Sequence, residues 1–399
     1  MKGKIISILG VLIVFAVTIG AILYGRGYRL TFKDSNGISG TGILVLNSFP
    51  EGARVFIDDN LTTATDNTIN LSPGSYKVKI QKDGYYPWQK QVIVRREEVT
   101  HAIATLFPTN PRLESVTTLG AASPIVDDSG SKIAFQVASI SAQKDGIYVL
   151  DMNQKSIIPF GGAISQLVDD VNESFSNASI SFTPDGDDLI ATTSGATQRT
   201  YRIPLDGGEP VNITSTMAQL AKEDSLQREI INKKLINTFP KKLRQFAAAN
   251  ITGILISPEE NKIFYTASQS ATVPVVINPP LPGTNPTPET RSITQGHKYV
   301  YDIEEDKNYL ILDTSGMAEV QIPTFKWHAN GLNLFFINDQ GSKKSIDTIE
   351  FDGQNRRTLY AGPLIDQYLF PWPDGTSVLI LTNLNTPDTP ANLYRIGLK

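Results

Sequence analysis

From Ala53 onward, apolar and polar residues take turns along the chain. Val55 and Ile57 fall on one side, and Arg54, Phe56 and Asp58 on the other. A period of two marks a half-buried β-strand. Just upstream, Pro50 suits the second position of a turn and Gly52 can take a positive φ. Downstream, Asp58-Asp59-Asn60 makes a turn, and Ser72-Pro73-Gly74-Ser75 predicts a type II turn. Tyr76, Val78 and Ile80 then alternate with Lys77, Lys79 and Gln81. Lys82-Asp83-Gly84-Tyr85 predicts a hairpin onto Trp88 to Val94, because Asp-Gly suits the primed turns.

Two other patterns frame this region. Ile5 to Tyr24 carries no charge, is rich in Ile, Val and Leu, and follows Lys2 and Lys4. Its length matches the roughly 20 residues that cross a bilayer core, and no small-x-small cleavage site follows it, so it predicts an uncleaved signal anchor. Gly25 to Gly42 is Gly-rich and polar and predicts a linker. Phe107-Pro108-Thr109-Asn110-Pro111 predicts a stiffer hinge. From Arg112 the same unit recurs: a turn, a short apolar strand, a polar gap, an aromatic-rich strand. The turns are Asp127 to Gly130, Thr183 to Gly186, Ser257 to Glu260, His328 to Gly331 and Trp372 to Gly375. Later strands follow at Ile147 to Asp151, Tyr201 to Leu205, Tyr299 to Ile303, Ile346 to Phe351 and Leu393 to Ile396. Gly331 and Gly375 lie 44 positions apart, within the ~40–45 residues of a four-stranded propeller blade. Longer spacings enclose a helical insertion, Ser215 to Asn250, and a Pro-rich loop, Gln269 to Gly296. Leu113 to Leu119 is left over as a strand and is expected to join the last repeat, since a ring must close on itself.

Pro50, Glu51, Gly52 and Ala53, followed by Val55, Ile57, Asp58, Pro73-Gly74, Tyr76 and Gly84-Tyr85, resemble the PEGA domain over Ile43 to Leu106. The resemblance implies a β-sandwich serving as an interaction or spacer module of envelope proteins, with the four motif residues structural. The recurring turn followed by an apolar run resembles the WD40-like repeats of TolB-type β-propellers over most of Arg112 to Lys399. The expected fold is therefore mainly β: residues 1–24 a tail and transmembrane anchor, 25–42 a linker, 43–106 the PEGA β-sandwich, and 112–399 a propeller of five to six blades. A sixth blade would fall between Gly161 and Asn177 or around Asp313 to Thr324.

Composition narrows the chemistry. The chain has no Cys, which removes thiol nucleophiles, disulfides and Cys-ligated metal, and its net charge of −4 gives no field for nucleic acid. No G-x-S-x-G elbow, P-loop, dinucleotide fingerprint or H-E-x-x-H occurs. Gly37-Ile38-Ser39-Gly40 and Asp313-Thr314-Ser315-Gly316 lack the strand-to-helix setting of a nucleophile elbow. His101, His297 and His328 are scattered, and Asp185 to Asp188 and Asp302 to Asp306 read as solvated turns. No catalytic residue, cofactor or metal is expected.

The insertion departs from its acidic surroundings. Met217, Leu220, Ala221, Ile230, Ile231, Leu235 and Ile236 recur at helical spacing, and Pro240 ends one helix and opens another. Seven basic residues against three acidic ones give it a charge of +4. Lys233, Lys234, Lys241, Lys242 and Arg244 are the expected contacts to an anionic membrane or partner. The sequence thus points to a binding or scaffolding protein of the cell envelope. It would be anchored in the cytoplasmic membrane through Ile5 to Tyr24, N-in and C-out, with the propeller recognising an envelope protein or polysaccharide. The competing expectation is a hydrolase or lyase with its site in the propeller channel.

Overall fold

The computed structural model describes residues 2–25, 28–30, 38–138, 141–153, 163–195, 197–282, 285–341, 343–384, 386 and 389–399. The chain divides into two compact units, residues 1–107 with 277–288, and residues 108–276 with 289–399.

The first unit opens with the helix Lys2–Gly25, as the uncharged run predicts. Among the described residues, however, no helix is long and apolar enough to cross a membrane. The side chains described in this helix span residues 9–22. The expected single-pass anchor through Ile5 to Tyr24 is overturned, and the N-in, C-out placement goes with it. Of the expected linker, Tyr28–Leu30 and Ile38–Gly40 pair as short antiparallel strands, while residues 26–27 and 31–37 lie outside the described residues.

Two sheets follow. Gly42–Phe49 lies between Asn67–Leu71, antiparallel, and Val99–Thr105, parallel. The second sheet runs Asn60–Ala64, Arg54–Ile57, Gly74–Gln81, Trp88–Val94. The period of two is realised in one shared core, in which Leu44, Leu46, Val55, Ile57, Val78 and Ile80 meet Trp88 and Val92. Burying each such aliphatic side chain stabilises by about 1.5–3 kcal/mol. Gly52 and Gly84 have the positive φ their turns require. The type II turn expected at Ser72 to Ser75 does not form. Gly74 already pairs with Val94 as the first residue of a strand. The segment crosses from one sheet to the other, so no tight reversal is needed there.

In the second unit the described residues form five four-stranded antiparallel sheets. Each of the five recurring turns links the first strand of its sheet to the second. Ala122–Val126 leads into Lys132–Val137, Ser179–Phe182 into Asp188–Thr192, and Ile251–Ile256 into Lys262–Ala267. Phe325–Trp327 leads into Asn333–Asp339, and Leu369–Pro371 into Ser377–Thr382. The hydrogen bonding repeats as well. The fourth turn residue donates its N–H to the first residue's carbonyl, as Gly186 does to Thr183 at 3.0 Å and Glu260 to Ser257 at 2.8 Å. That fourth residue is left-handed in every copy: Gly130, Gly186, Glu260, Gly331 and Gly375 have φ of 71°, 72°, 56°, 64° and 68°. Glycine takes this conformation without the Cβ clash that other residues meet.

Leu113–Ser115 pairs with Asn392–Gly397, with Leu113 opposite Ile396, so the unit's first strand completes the sheet of its last. Neighbouring sheets interlock. Ile133, Phe135 and Leu150 of the first meet Phe370, Trp372 and Leu379 of the fifth. Ala134 and Ile147 face the second sheet's Leu189 and Ile203. Phe264 and Val300 of the third meet Phe325, Leu334 and Phe336 of the fourth. The third sheet's opposite face, Ile263, Tyr265 and Tyr301, is covered by Phe239, Leu243 and Ala247 instead.

Those last residues belong to the insertion, whose two helices are Met217–Asn237 and, after Pro240, Lys241–Asn250. Neither place reserved for a sixth blade forms a further sheet among the described residues. Ala163–Asp169 is the fourth strand of the first sheet, and Glu319–Gln321 is a single 3₁₀ turn. Gly161 lies outside the described residues.

Candidate functional site

The five turns place their residues at the ends of the first strands, and there a cleft of about 390 Å³ opens. Four of the five sheets line it. The first contributes Asp127 and Asp128, the third Pro258, the fourth Lys326, Trp327 and Ala329, and the fifth Phe370 and Trp372 with their flanking prolines. Its size falls toward the lower end of the ~300–1,000 Å³ typical of ligand clefts.

Most polar groups around the cleft are already engaged. Asp127, buried, accepts from the backbone N–H groups of Ser131 and Lys132 at 2.8 Å each and from the Ser129 hydroxyl. Asp128 pairs with Arg228 of the long helix at 2.8 Å, and the same guanidinium donates to the Phe182 carbonyl at 3.2 Å. The indole N–H of Trp327 donates to the Leu255 carbonyl at 3.1 Å, and Arg395 lies 4.7 Å over the Trp372 ring. Lys326 differs. It follows Phe325 in the fourth sheet's first strand and is partly buried, and burial lowers the pKa of its ammonium below the ordinary lysine value. Among the described residues its ammonium has neither a carboxylate nor a carbonyl partner.

His328 stands beside the cleft but does not serve it. Buried in its turn, its Nε2–H donates to the Gly375 carbonyl at 3.0 Å while Nδ1 accepts from the Asn330 N–H at 3.1 Å. It therefore fastens the fourth turn to the fifth as a neutral imidazole, and burial holds its pKa below 6.5. The other histidine of the second unit is less scattered than its sequence position suggests. His297 Nε2 lies 3.2 Å from both Ser315 Oγ and Asp313 Oδ1. Both contacts use the same ring nitrogen, whereas a catalytic relay needs serine on one nitrogen and carboxylate on the other. Asp313 instead closes its own turn through the Ser315 N–H at 2.8 Å, and the Ser315 bonds hold its pKa down.

The acidic runs are not solvated turns throughout. Asp188, Asp302 and Asp306 are buried. Asp188 binds Arg202, Asp306 accepts from Tyr301 at 2.6 Å and faces Arg291, and Asp302 sits 3.6 Å from buried Lys262. Burial raises the Asp302 pKa, Lys262 notwithstanding. Such carboxylates are paired because an isolated buried charge is too costly to keep. Among the described residues no three of His, Asp and Glu converge as a metal cage requires.

The expected contact residues are dispersed. Lys233 pairs with Glu229 one turn away at 2.6 Å, Lys242 reaches the Val275 carbonyl at 3.5 Å, and Arg244 turns back to the carbonyls of Asn237 and Phe239. Lys234 and Lys241 are exposed. The long helix also exposes Leu226 and Ile230, whereas Ile236 packs against the third sheet's core. The side chains of Ile231 and Leu235 lie outside the described residues. In the first unit, Ala53 is fully buried and its N–H donates to Thr65 Oγ1 at 2.9 Å. The Pro50 carbonyl accepts from Ser48 at 2.8 Å, and the Glu51 carbonyl from Lys82. These are the contacts of a turn, and the Glu51 carboxylate is exposed to solvent.

Sequence reasoning identified the turns of this site but missed Lys326, Trp327 and the Asp128–Arg228 pair. The one local signal was a lysine between two aromatics just before a turn.

Comparison with known proteins gives the following. No curated protein matches. Among solved structures, TolB from Acinetobacter baumannii is 14% identical with a TM-score of 0.25; the match covers 81% of this chain and 59% of that one. This chain thus spans little more than half the length of that protein. A putative TolB from Agrobacterium tumefaciens is 10% identical at a TM-score of 0.21, covering 90% and 100%. The β-propeller domain of the Trilobed protease from Pyrococcus furiosus is 9% identical at 0.23, covering 90% and 96%. The family match is to the PEGA domain over residues 41–110. With the turn, the two sheets and their shared core already described, residues 41–110 of this chain are a PEGA domain.

Proposed function

We propose that this chain is a recognition protein without catalytic chemistry of its own. The second unit is a five-bladed ring closed by Leu113–Ser115 on Asn392–Gly397, and the helical insertion fills the arc between the second and third blades. The ring binds a segment of a partner polypeptide in the cleft at the blade ends, and the PEGA domain acts as an interaction or spacer module.

The cleft is the observation that carries this reading. Aromatic and proline residues from three sheets converge on one space, while its acids and its neighbouring histidine are already committed to turns and ion pairs. A general acid–base pair needs free groups within hydrogen-bond reach of one reacting atom. Aromatic residues lining a small cleft instead suit burial of apolar side chains, which is where binding energy concentrates.

The test is binding of the intact chain to arrays of short peptides and of oligosaccharides, beside an Ala329→Phe variant that fills the cleft. Saturable peptide binding that disappears in the variant is expected. Peptide binding unaffected by the variant, or binding confined to oligosaccharides, would contradict this function.

A further inference from the structure

Resting on the reading of the cleft as a recognition site, we infer that its ligand is an apolar group carrying one carboxylate, and that Lys326 is the residue that reads it. Lys326 lines the cleft, and no carboxylate or carbonyl of the described residues answers its ammonium. Every other charged side chain lining the cleft is answered: Asp127 by its own turn and Asp128 by Arg228. A partly desolvated cation on an open cleft lined by aromatic residues lacks only a counter-charge. A ligand anion would supply it with a charge-assisted hydrogen bond stronger than a neutral one. Burial independently lowers the lysine pKa, as expected where the charged form lacks a counter-ion.

The same inventory argues against an oligosaccharide. Sugars bring several hydroxyls, and each one buried without a partner is costly. Here the Ser129 hydroxyl is taken by Asp127 and the Trp327 N–H by Leu255, which leaves fewer side-chain donors than several sugar hydroxyls need. A ligand with one charge and an otherwise apolar body fits that inventory. The C-terminus of an apolar peptide has this chemistry, and so does a free arylalkanoic acid.

The experiment measures binding of the full chain to apolar tetrapeptides ending in Phe, Leu or Trp, each as the free acid and as the C-terminal amide, and to phenylpropanoate. Lys326→Gln, Lys326→Arg and Ala329→Phe are compared with the native chain, each checked for an unchanged near-ultraviolet spectrum. We expect free acids to bind about 10- to 100-fold more tightly than amides, the range of a hydrogen bond to a charged partner. Lys326→Gln should erase that preference and Lys326→Arg should keep it. Phenylpropanoate binding with the same Lys326 dependence, without peptide binding, also supports the carboxylate and makes the source a small acid. Acids and amides binding alike, both lost in Ala329→Phe, overturn the carboxylate and leave the cleft standing. Binding indifferent to Ala329→Phe overturns the cleft itself. An absence of binding by every acid overturns the proposal.

Discussion

Replacing Asn392 with Ala tests whether the second unit is held as one ring. Asn392 Oδ1 accepts the Thr117 hydroxyl and the Gly120 N–H, both at 3.0 Å, and the Thr117 hydroxyl oxygen in turn accepts the Leu393 N–H at 2.9 Å. These residues stand some 275 positions apart and are largely buried. Losing Oδ1 strands two buried donors at about 1–3 kcal/mol each, so a cost of about 2–5 kcal/mol is expected. That is a large share of the ~5–15 kcal/mol by which a domain is stable. Hydrogen exchange locates the loss. If the clasp closes a ring, amides of the third sheet's Lys262–Ala267 should exchange faster by the same factor as those of Ser377–Thr382 beside the clasp. At about 1.4 kcal/mol per tenfold, that factor is at least roughly 30. A Thr117→Val/Asn392→Ala double variant should cost much less than the two single changes summed, since they share one network. Faster exchange confined to Asn392–Gly397, with Lys262–Ala267 unchanged, would refute the closure.

Further outcomes follow from the turns. Glu260 is the one non-glycine in the left-handed position and its side chain is exposed, so Glu260→Gly should raise stability by about 0.5–1 kcal/mol in urea unfolding, net of glycine's own entropy cost. Gly375→Ala should cost more than Gly130→Ala, because a Cβ at Gly375 meets the His328 ring at 3.1 Å while one at Gly130 meets nothing within 4 Å. His328 has a folded pKa lowered below 6.5, with burial the main cause. Between those two values the unfolded state binds the extra proton, so its contribution is complete above about 6.5 and is lost as pH falls to and through the folded value. Stability measured from pH 7 to pH 5 should therefore fall less steeply in His328→Gln than in the native chain, and equal slopes would remove the histidine from the account.

What was legible in the sequence, and what was not, follows from the range of the forces involved. The five turns could be read because a left-handed residue and its bond to the turn's first carbonyl are local requirements, met by Gly in four copies. Strands such as Val55 to Ile57 could be read because a buried face needs side chains at every second position. Val211–Asn212 could not, since it is held to Tyr201 and Arg202 by backbone pairing and buries no side chain. Pro73-Gly74 misled for the opposite reason: its local preference for a turn yields to the pairing of Gly74 with Val94. The cleft was invisible because Asp127, Lys326 and Trp372 meet only through the arrangement of whole sheets. The buried pairing of Asp302 and Asp306 was equally hidden, because sequence shows charge but not the lysine or arginine that folding brings beside it. The N-terminal run was legible as a helix, but apolar composition alone did not establish a span long enough for a bilayer.

The chain has three tryptophans, Trp88, Trp327 and Trp372. Two of them line the cleft, and the third is buried in the core of the PEGA domain. Fluorine NMR of fluorotryptophan-labelled protein, assigned by single Trp→Phe changes, reports on both places at once while a bound peptide acid is titrated in. The account predicts that the Trp327 and Trp372 resonances move saturably together and that Trp88 stays where it is. A bound peptide that moves Trp88, or that leaves Trp327 and Trp372 unmoved, would contradict it.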